Sequence, residues 1–142
     1  MFSNSQIPRA TIQAYLETHY RVHGSMPATL KIGEFNASLA AIHDAHGVRS
    51  SAFITACNPF SQLLDDAANT SRQLALAREL SQRGLTFIDG VGEHPSNGWR
   101  GEPSFLVLRV SVEDAKAFGL QFGQNAVVWC GGDAVPQLVL LR

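Results

Sequence analysis

Apolar residues recur at helical spacing in four parts of the chain, and at strand spacing in six others. The spacing predicts helices over 8–24, 39–45, 65–83 and 112–122. It predicts strands over 29–32, 51–57, 85–91, 104–110, 126–130 and 137–141. Because the two kinds of element alternate, we expect an α/β (α+β) fold. It should be a single domain over 1–142, with a mixed sheet of about five or six strands and helices packed on it.

The connections between the predicted strands indicate their directions. A helix joins strand 29–32 to 51–57, and another joins 51–57 to 85–91, so these three strands should run parallel. The loop 92–103 turns the chain back into strand 104–110, and a further helix makes 126–130 parallel to 104–110. Gly33, Asn58, Gly90, Glu102 and Asn125 then fall at one edge of the sheet, where α/β proteins commonly bind a ligand.

Glu102 is the candidate catalytic residue, because it is the only carboxylate inside a dense polar motif and Gly101 and Pro103 flank it. Beside Trp99 its pKa could be raised by desolvation, which suits a general acid or base. The alternative is a structural carboxylate that holds the loop by accepting backbone N–H groups.

Eight further residues are candidate ligand contacts, because their amide, hydroxyl, indole or guanidinium groups lie in or near the same motifs. Each also has a structural interpretation: Asn58 before Pro59 starts a turn, Arg72 pairs with a nearby acid, and Gln124 satisfies loop backbone. The candidates are Thr55, Asn58, Ser61, Asn69, Arg72, Trp99, Gln124 and Asn125.

Composition and charge exclude several classes of function. The 142 residues carry 11 basic and 12 acidic side chains, which argues against duplex nucleic acid as a partner. No secretory signal or long apolar run is visible, so we expect a cytoplasmic protein without membrane contact.

Cys57 and Cys130 lie in strand-like runs and should be buried, although a nucleophilic Cys57 is the alternative. The histidines lack a third ligand at a recognisable spacing, and neither a metal nor a cofactor is expected.

Three ordered stretches resemble one known family. They are 55–61, 99–107 and 122–126, with Asn69 between the first two. The chain is similar over nearly its whole length to the bacterial family called domain of unknown function 3293. That resemblance implies no particular activity.

Two functional hypotheses follow from these motifs. In the first, the sheet edge binds a small polar molecule such as a nucleotide or nucleoside. Trp99 would stack on the base, Arg72 would meet a phosphate or carboxylate, and Glu102 would serve hydrolysis or group transfer. In the second, the protein is a non-catalytic interaction or regulatory module, and Trp99 anchors a protein partner.

Overall fold

The chain folds into four α-helices and one seven-stranded sheet within residues 5–142, the part that this computed structural model describes. The helices are α1 (Arg9–Glu17), α2 (Ala37–His46), α3 (Asp66–Gln82) and α4 (Val112–Gln121). The strands are β1 (His19–Val22), β2 (Ala28–Leu30), β3 (Ser51–Ile54), β4 (Phe87–Glu93), β5 (Glu102–Leu108), β6 (Ala126–Cys130) and β7 (Pro136–Leu140). None of the helices in this range is both long and apolar enough to cross a membrane.

Side-chain caps define where three of the helices begin. Asn36 accepts from the N–H of Leu39 at the start of α2, and Asp65 accepts from the N–H of Ala68 at the start of α3. Ser111 accepts from the N–H of Asp114 at the start of α4. Each cap satisfies one of the helix's otherwise unpaired N–H groups, which is why these boundaries are readable in the sequence.

The strands lie in the order β2-β1-β4-β5-β3-β6-β7, and every neighbouring pair is antiparallel. The prediction of a single α+β domain is confirmed, whereas the prediction of a mixed sheet with five or six strands is wrong. The predicted directions nevertheless agree with the pairing, because β2, β3 and β4 all run the same way. They are never neighbours, since β1 and β5 lie between them.

The strand missing from the sequence interpretation is β1. The helix predicted to reach residue 24 ends at Glu17, because Thr18 is extended and its hydroxyl donates back to the carbonyl of Ala14. From His19 the chain alternates inward and outward, with Tyr20 and Val22 buried. Tyr20 also continues the helical spacing, so the apolar pattern alone does not mark the change of period.

Helices cover both faces of the sheet. On one face, Tyr20, Phe53 and Leu106 pack with Leu39 and Ile42 of α2. On the other face, strand residues pack against α3 and α4. The sheet is curled, since Gly33 after β2 donates to the carbonyl of Pro136 at the start of β7. One rim of the curled sheet carries the ends of β3 and β4 and the starts of β5 and β6.

Candidate functional site

A cavity of about 310 Å³ lies at this rim, on the α2 side of the sheet and beside α1. Four aromatic residues line it: Tyr15, Tyr20, Phe53 and Trp99. Most of the polar lining comes from the three stretches singled out in the sequence: Thr55, Asn58, Ser61, Glu102, Ser104 and Gln124. Thr11, Thr18, His94 and Asn97 supply the rest. The structure thus brings six of the nine predicted site residues to one cavity.

Strand geometry directs Glu102 toward this cavity. It lies two and four residues before Ser104 and Leu106, and alternate residues of a strand share a face. Its Oε2 accepts from Asn58 Nδ2 at 2.7 Å and from Trp99 Nε1 at 3.2 Å. Among residues 5–142 no group donates to Oε1. The pKa of this carboxyl is raised because burial disfavours its charged form, although the two hydrogen bonds oppose that shift.

A network of amides holds Asn58 against Glu102. Asn58 Oδ1 accepts from the N–H of Leu64 and from Asn69 Nδ2, both at 2.9 Å. The N–H of Asn58 donates in turn to Asn69 Oδ1 at 2.9 Å. Asn69 does not line the cavity and instead positions Asn58, so its predicted ligand contact stays a prediction.

The turn that carries Asn58 has an unfavourable backbone. Asn58, Phe60 and Ser61 have φ values of 47°, 55° and 58°. Residues other than glycine seldom adopt such left-handed backbone angles. The turn is held in place by the N–H of Phe60, which donates to the carbonyl of Gly123 at 2.8 Å. Such backbone strain persists only where the surrounding structure over-determines it, and it is frequent at functional sites.

Asn125 lies behind the cavity wall. Its Nδ2 donates to the hydroxyls of Tyr15 at 3.2 Å and Ser61 at 3.1 Å, and these two hydroxyls are themselves 2.5 Å apart. Its Oδ1 accepts from Arg142 Nη1 at 3.0 Å. Asn125 therefore joins α1 to the strained turn, and only the two hydroxyls reach the cavity.

Arg72 and Gln124 tie backbone carbonyls together under the site. Arg72 Nε donates to the carbonyl of Ala56 at 2.6 Å, and its Nη2 donates to the carbonyl of Phe122. Gln124 Nε2 donates to the carbonyl of Cys57 at 3.1 Å while the residue lines the cavity. The Arg72 guanidinium thus donates to backbone carbonyls of the protein itself and does not line the cavity. Its predicted contact with a phosphate or carboxylate stays a prediction.

His94 closes one side of the cavity and was not among the predicted site residues. Its Nε2 lies 2.9 Å from Glu17 Oε1, and its Nδ1 accepts from the N–H groups of Ser96 and Asn97. Because Nδ1 is an acceptor, the ring proton belongs on Nε2 and is donated to Glu17. The loop between β4 and β5, which bears Trp99, is in this way fastened to α1.

Three aromatic lining residues, Tyr15, Tyr20 and Phe53, were also not predicted as site residues. Tyr15 and Tyr20 both fall within the helix predicted over 8–24, whereas Tyr20 lies in β1. The alternation of Tyr20, Arg21 and Val22 is the signal that would have placed Tyr20 on an inner strand face.

The remaining candidate nucleophile is unsuited to that role. Cys57 is buried, and burial raises the pKa of its thiol, so the thiolate is disfavoured. Its Sγ lies 3.6 Å from the carbonyl of Pro103. Within the described range, no three or more His, Cys, Asp or Glu side chains cluster in a way that could hold a metal ion.

Comparison with known families places this site within a matched segment. The family model described as "Protein of unknown function (DUF3293)" matches residues 54–127, just over half of the chain. The chain belongs to this family. All nine residues predicted for the site lie in the matched segment of this DUF3293 protein, whereas Tyr15 and the rest of α1 lie outside it. No curated protein and no solved structure matches the chain.

Proposed function

We propose that the cavity binds a small, uncharged ring compound of the nucleobase or nucleoside class through Glu102. The observation that supports this most directly is a partly buried carboxylate with one accessible oxygen, Oε1, left free of protein partners in the described chain. Such an oxygen is an acceptor for an N–H or O–H group of a ligand. The aromatic lining supplies surfaces on which a flat ring can stack.

The charges around the cavity favour a nucleoside over a nucleotide. A phosphate is normally bound by arginine, lysine or a helix N-terminus. No arginine or lysine of residues 5–142 lines the cavity, and Arg72 donates to two backbone carbonyls. The first turn of α1 does border the cavity, but the N–H groups of Thr11 and Ile12 already donate to the carbonyl of Pro8. A phosphate would also lie near the Glu102 carboxylate, which repels it. The ligand class expected from the sequence is therefore narrowed to its uncharged members.

Glu102 also supports a chemical role for the same site. A raised pKa brings the carboxyl closer to the pH at which it can both take up and release a proton. In a hydrolysis, Oε1 would accept a proton from the attacking water and return it to the leaving group. Hydrolysis or group transfer with Glu102 as acid and base is thus the reaction class that we propose.

A thermal-shift experiment tests ligand binding directly. Adenosine, guanosine, cytidine and uridine are compared with their 5′-monophosphates at about 5 mM. At a concentration one hundred times the Kd, a ligand that binds only the folded state stabilises it by about 2.7 kcal/mol, which raises Tm by roughly 5–15 °C. We expect at least one nucleoside to raise Tm more than its monophosphate does.

Two variants make the result specific to the carboxylate. Glu102→Gln keeps an oxygen for Asn58 and Trp99 but puts an N–H₂ group beside the ligand, so it should abolish the ligand-induced rise. Glu34→Gln, in an exposed turn, is the matched control and should respond as the wild type does. An equal response of the Glu102→Gln variant contradicts the proposal. If no compound raises Tm, the alternative of a protein-interaction module that uses the half-exposed Trp99 gains support.

A further inference from the structure

A second cavity of about 510 Å³ lies on the opposite face of the sheet, between β5, α3 and the loop that leads into α3. Asn58 and Glu102 border both cavities, so their hydrogen bond forms part of the wall between them. The lining of the second cavity is largely apolar. Three leucines contribute to it although they are exposed: Leu63 at 66%, Leu64 at 37% and Leu74 at 60%.

Gln73 of α3 supplies an unpaired donor at this cavity. The residue is 9% exposed and lines the cavity. Its Oε1 accepts from the N–H of Ala56 at 3.0 Å, which fixes which end of the amide is the oxygen. In the described chain Nε2 is buried and has no acceptor. A buried amide nitrogen without a partner is unfavourable, and an acceptor brought by a ligand would relieve it.

We propose that the second cavity is a binding site for a neutral aliphatic compound with a terminal carbonyl group. The chain would lie against the exposed leucines, and the carbonyl oxygen would accept from Gln73 Nε2 once the side chains that cover this buried atom move aside. Such a ligand covers apolar surface that is otherwise exposed to water. A carboxylate is disfavoured as the terminal group because Glu102 borders the same cavity, and the one cation that residues 5–142 place in its lining, Arg100, is paired with Asp66 at 3.1 Å. This site is independent of the ligand proposed for the first cavity.

The test uses 2-octanone as the probe and 15N-labelled full-length protein. The ketone is titrated to about 5 mM, and two-dimensional NMR spectra follow the Gln73 side-chain amide, assigned from its absence in Gln73→Glu. We expect a saturable downfield shift of that amide, together with shifts of backbone amides around Leu64, Leu74 and Gly101.

Substitutions at two exposed, adjacent residues of α3 provide a test variant and a matched control, and neither changes a core residue. Thr70→Trp fills the cavity that Thr70 lines and should weaken 2-octanone binding at least tenfold. Ser71→Trp adds the same ring next to the cavity, which Ser71 does not line, and should bind as the wild type does.

Three results would overturn the proposal. They are the absence of saturable shifts, equal binding by Thr70→Trp and wild type, and shifts confined to the first cavity. Saturable binding that leaves the Gln73 amide unmoved overturns the hydrogen bond to the carbonyl. Each outcome is separate from the nucleoside experiment, since that experiment uses another probe and depends on Glu102.

Discussion

The hydrogen bond between Asn58 and Glu102 gives the sharpest test of the site's architecture. Asn58→Asp keeps the oxygen that accepts from Leu64 and Asn69 but replaces the donor to Glu102 by a second oxygen. Aspartate tolerates the left-handed backbone at this position almost as well as asparagine does. The substitution therefore changes little except that two carboxyl groups now face each other at 2.7 Å.

The loss in the free energy of unfolding is set by whichever of two responses costs less free energy: either both carboxyl groups stay ionised, or one of them takes up a proton. If both groups stay ionised, their repulsion at about 4 Å is roughly 4 kcal/mol at an effective dielectric constant of 20. The lost charge-assisted hydrogen bond adds about 1.5–3 kcal/mol to that. If one group takes up a proton at pH 7, the cost for a carboxyl of ordinary pKa is about 3.7 kcal/mol, and the hydrogen bond re-forms. We expect protonation, and hence a loss of about 3–4 kcal/mol at pH 7.

Urea unfolding at pH 7 and at about pH 4 measures this loss. The unfolded chain also binds the proton at the lower pH, so the difference between Asn58→Asp and wild type should shrink below roughly 1 kcal/mol there. Adding Glu102→Gln to Asn58→Asp exchanges donor and acceptor and should restore most of the stability at pH 7. Gln137→Glu, at an exposed position of β7 away from the cavity, is the control and should change stability by less than about 0.5 kcal/mol.

Two observations would refute this reasoning. The first is an Asn58→Asp variant as stable as wild type at pH 7, which would mean that the two side chains do not meet. The second is a double variant no more stable than the single one, because the loss would then come from the turn and not from the carboxylate pair.

Three further predictions follow from contacts around the site. Arg72→Ala should lower the free energy of unfolding by about 2–4 kcal/mol in urea titrations, because two backbone carbonyls lose their donor, whereas exposed Arg78→Ala should have little effect. Gly90→Ala should lower Tm, since a Cβ there would lie 2.4 Å from a backbone carbonyl of β1, while Gly92→Ala, with no atom nearer than 3.8 Å, should be tolerated. Burial raises the pKa of Glu102, so the folded protein keeps this proton to higher pH than the unfolded chain does. Wild-type stability relative to Glu102→Gln should therefore fall as pH rises above about 4.3, measured by unfolding at several pH values.

The fold was predictable where local chemistry marks the element. Asn36, Asp65 and Ser111 are all cap residues followed by helical spacing, and each caps a helix in the structure. Strand order was not predictable, because helical connections determine direction but not which strand is the neighbour. The sheet is antiparallel because β1 lies between β2 and β4, and β5 lies between β4 and β3. Which strand is inserted between two others depends on pairing between distant parts of the chain.

The position of the candidate cavity at one rim of the sheet was predictable from the sequence, but the hydrogen bonds of its individual side chains were not. Asn58, Glu102 and Gln124 meet because strand directions place their three stretches at one rim, and the directions were correct. The assignment of Arg72 to a ligand depended on the side chain being free. Whether an arginine donates to a ligand or to nearby carbonyls depends on which backbone ends meet beside it, and the sequence does not contain that information.

The strained turn and the partly buried carboxyl of Glu102 are energetically connected at this rim. Both features are unfavourable by themselves, since left-handed residues cost of order 1–3 kcal/mol each and burial disfavours a carboxylate. They are tolerated because Asn58 links them: its amide donates to Glu102 while its oxygen and N–H are held by the chain around Asn69. If Glu102 served only to fasten its loop, both of its oxygens would be expected to accept from loop N–H groups. Instead one oxygen receives both hydrogen bonds and the other remains free within the described chain. That asymmetry is consistent with the ligand contact that we propose for Glu102, because an acceptor already held in position loses little freedom when a ligand pairs with it.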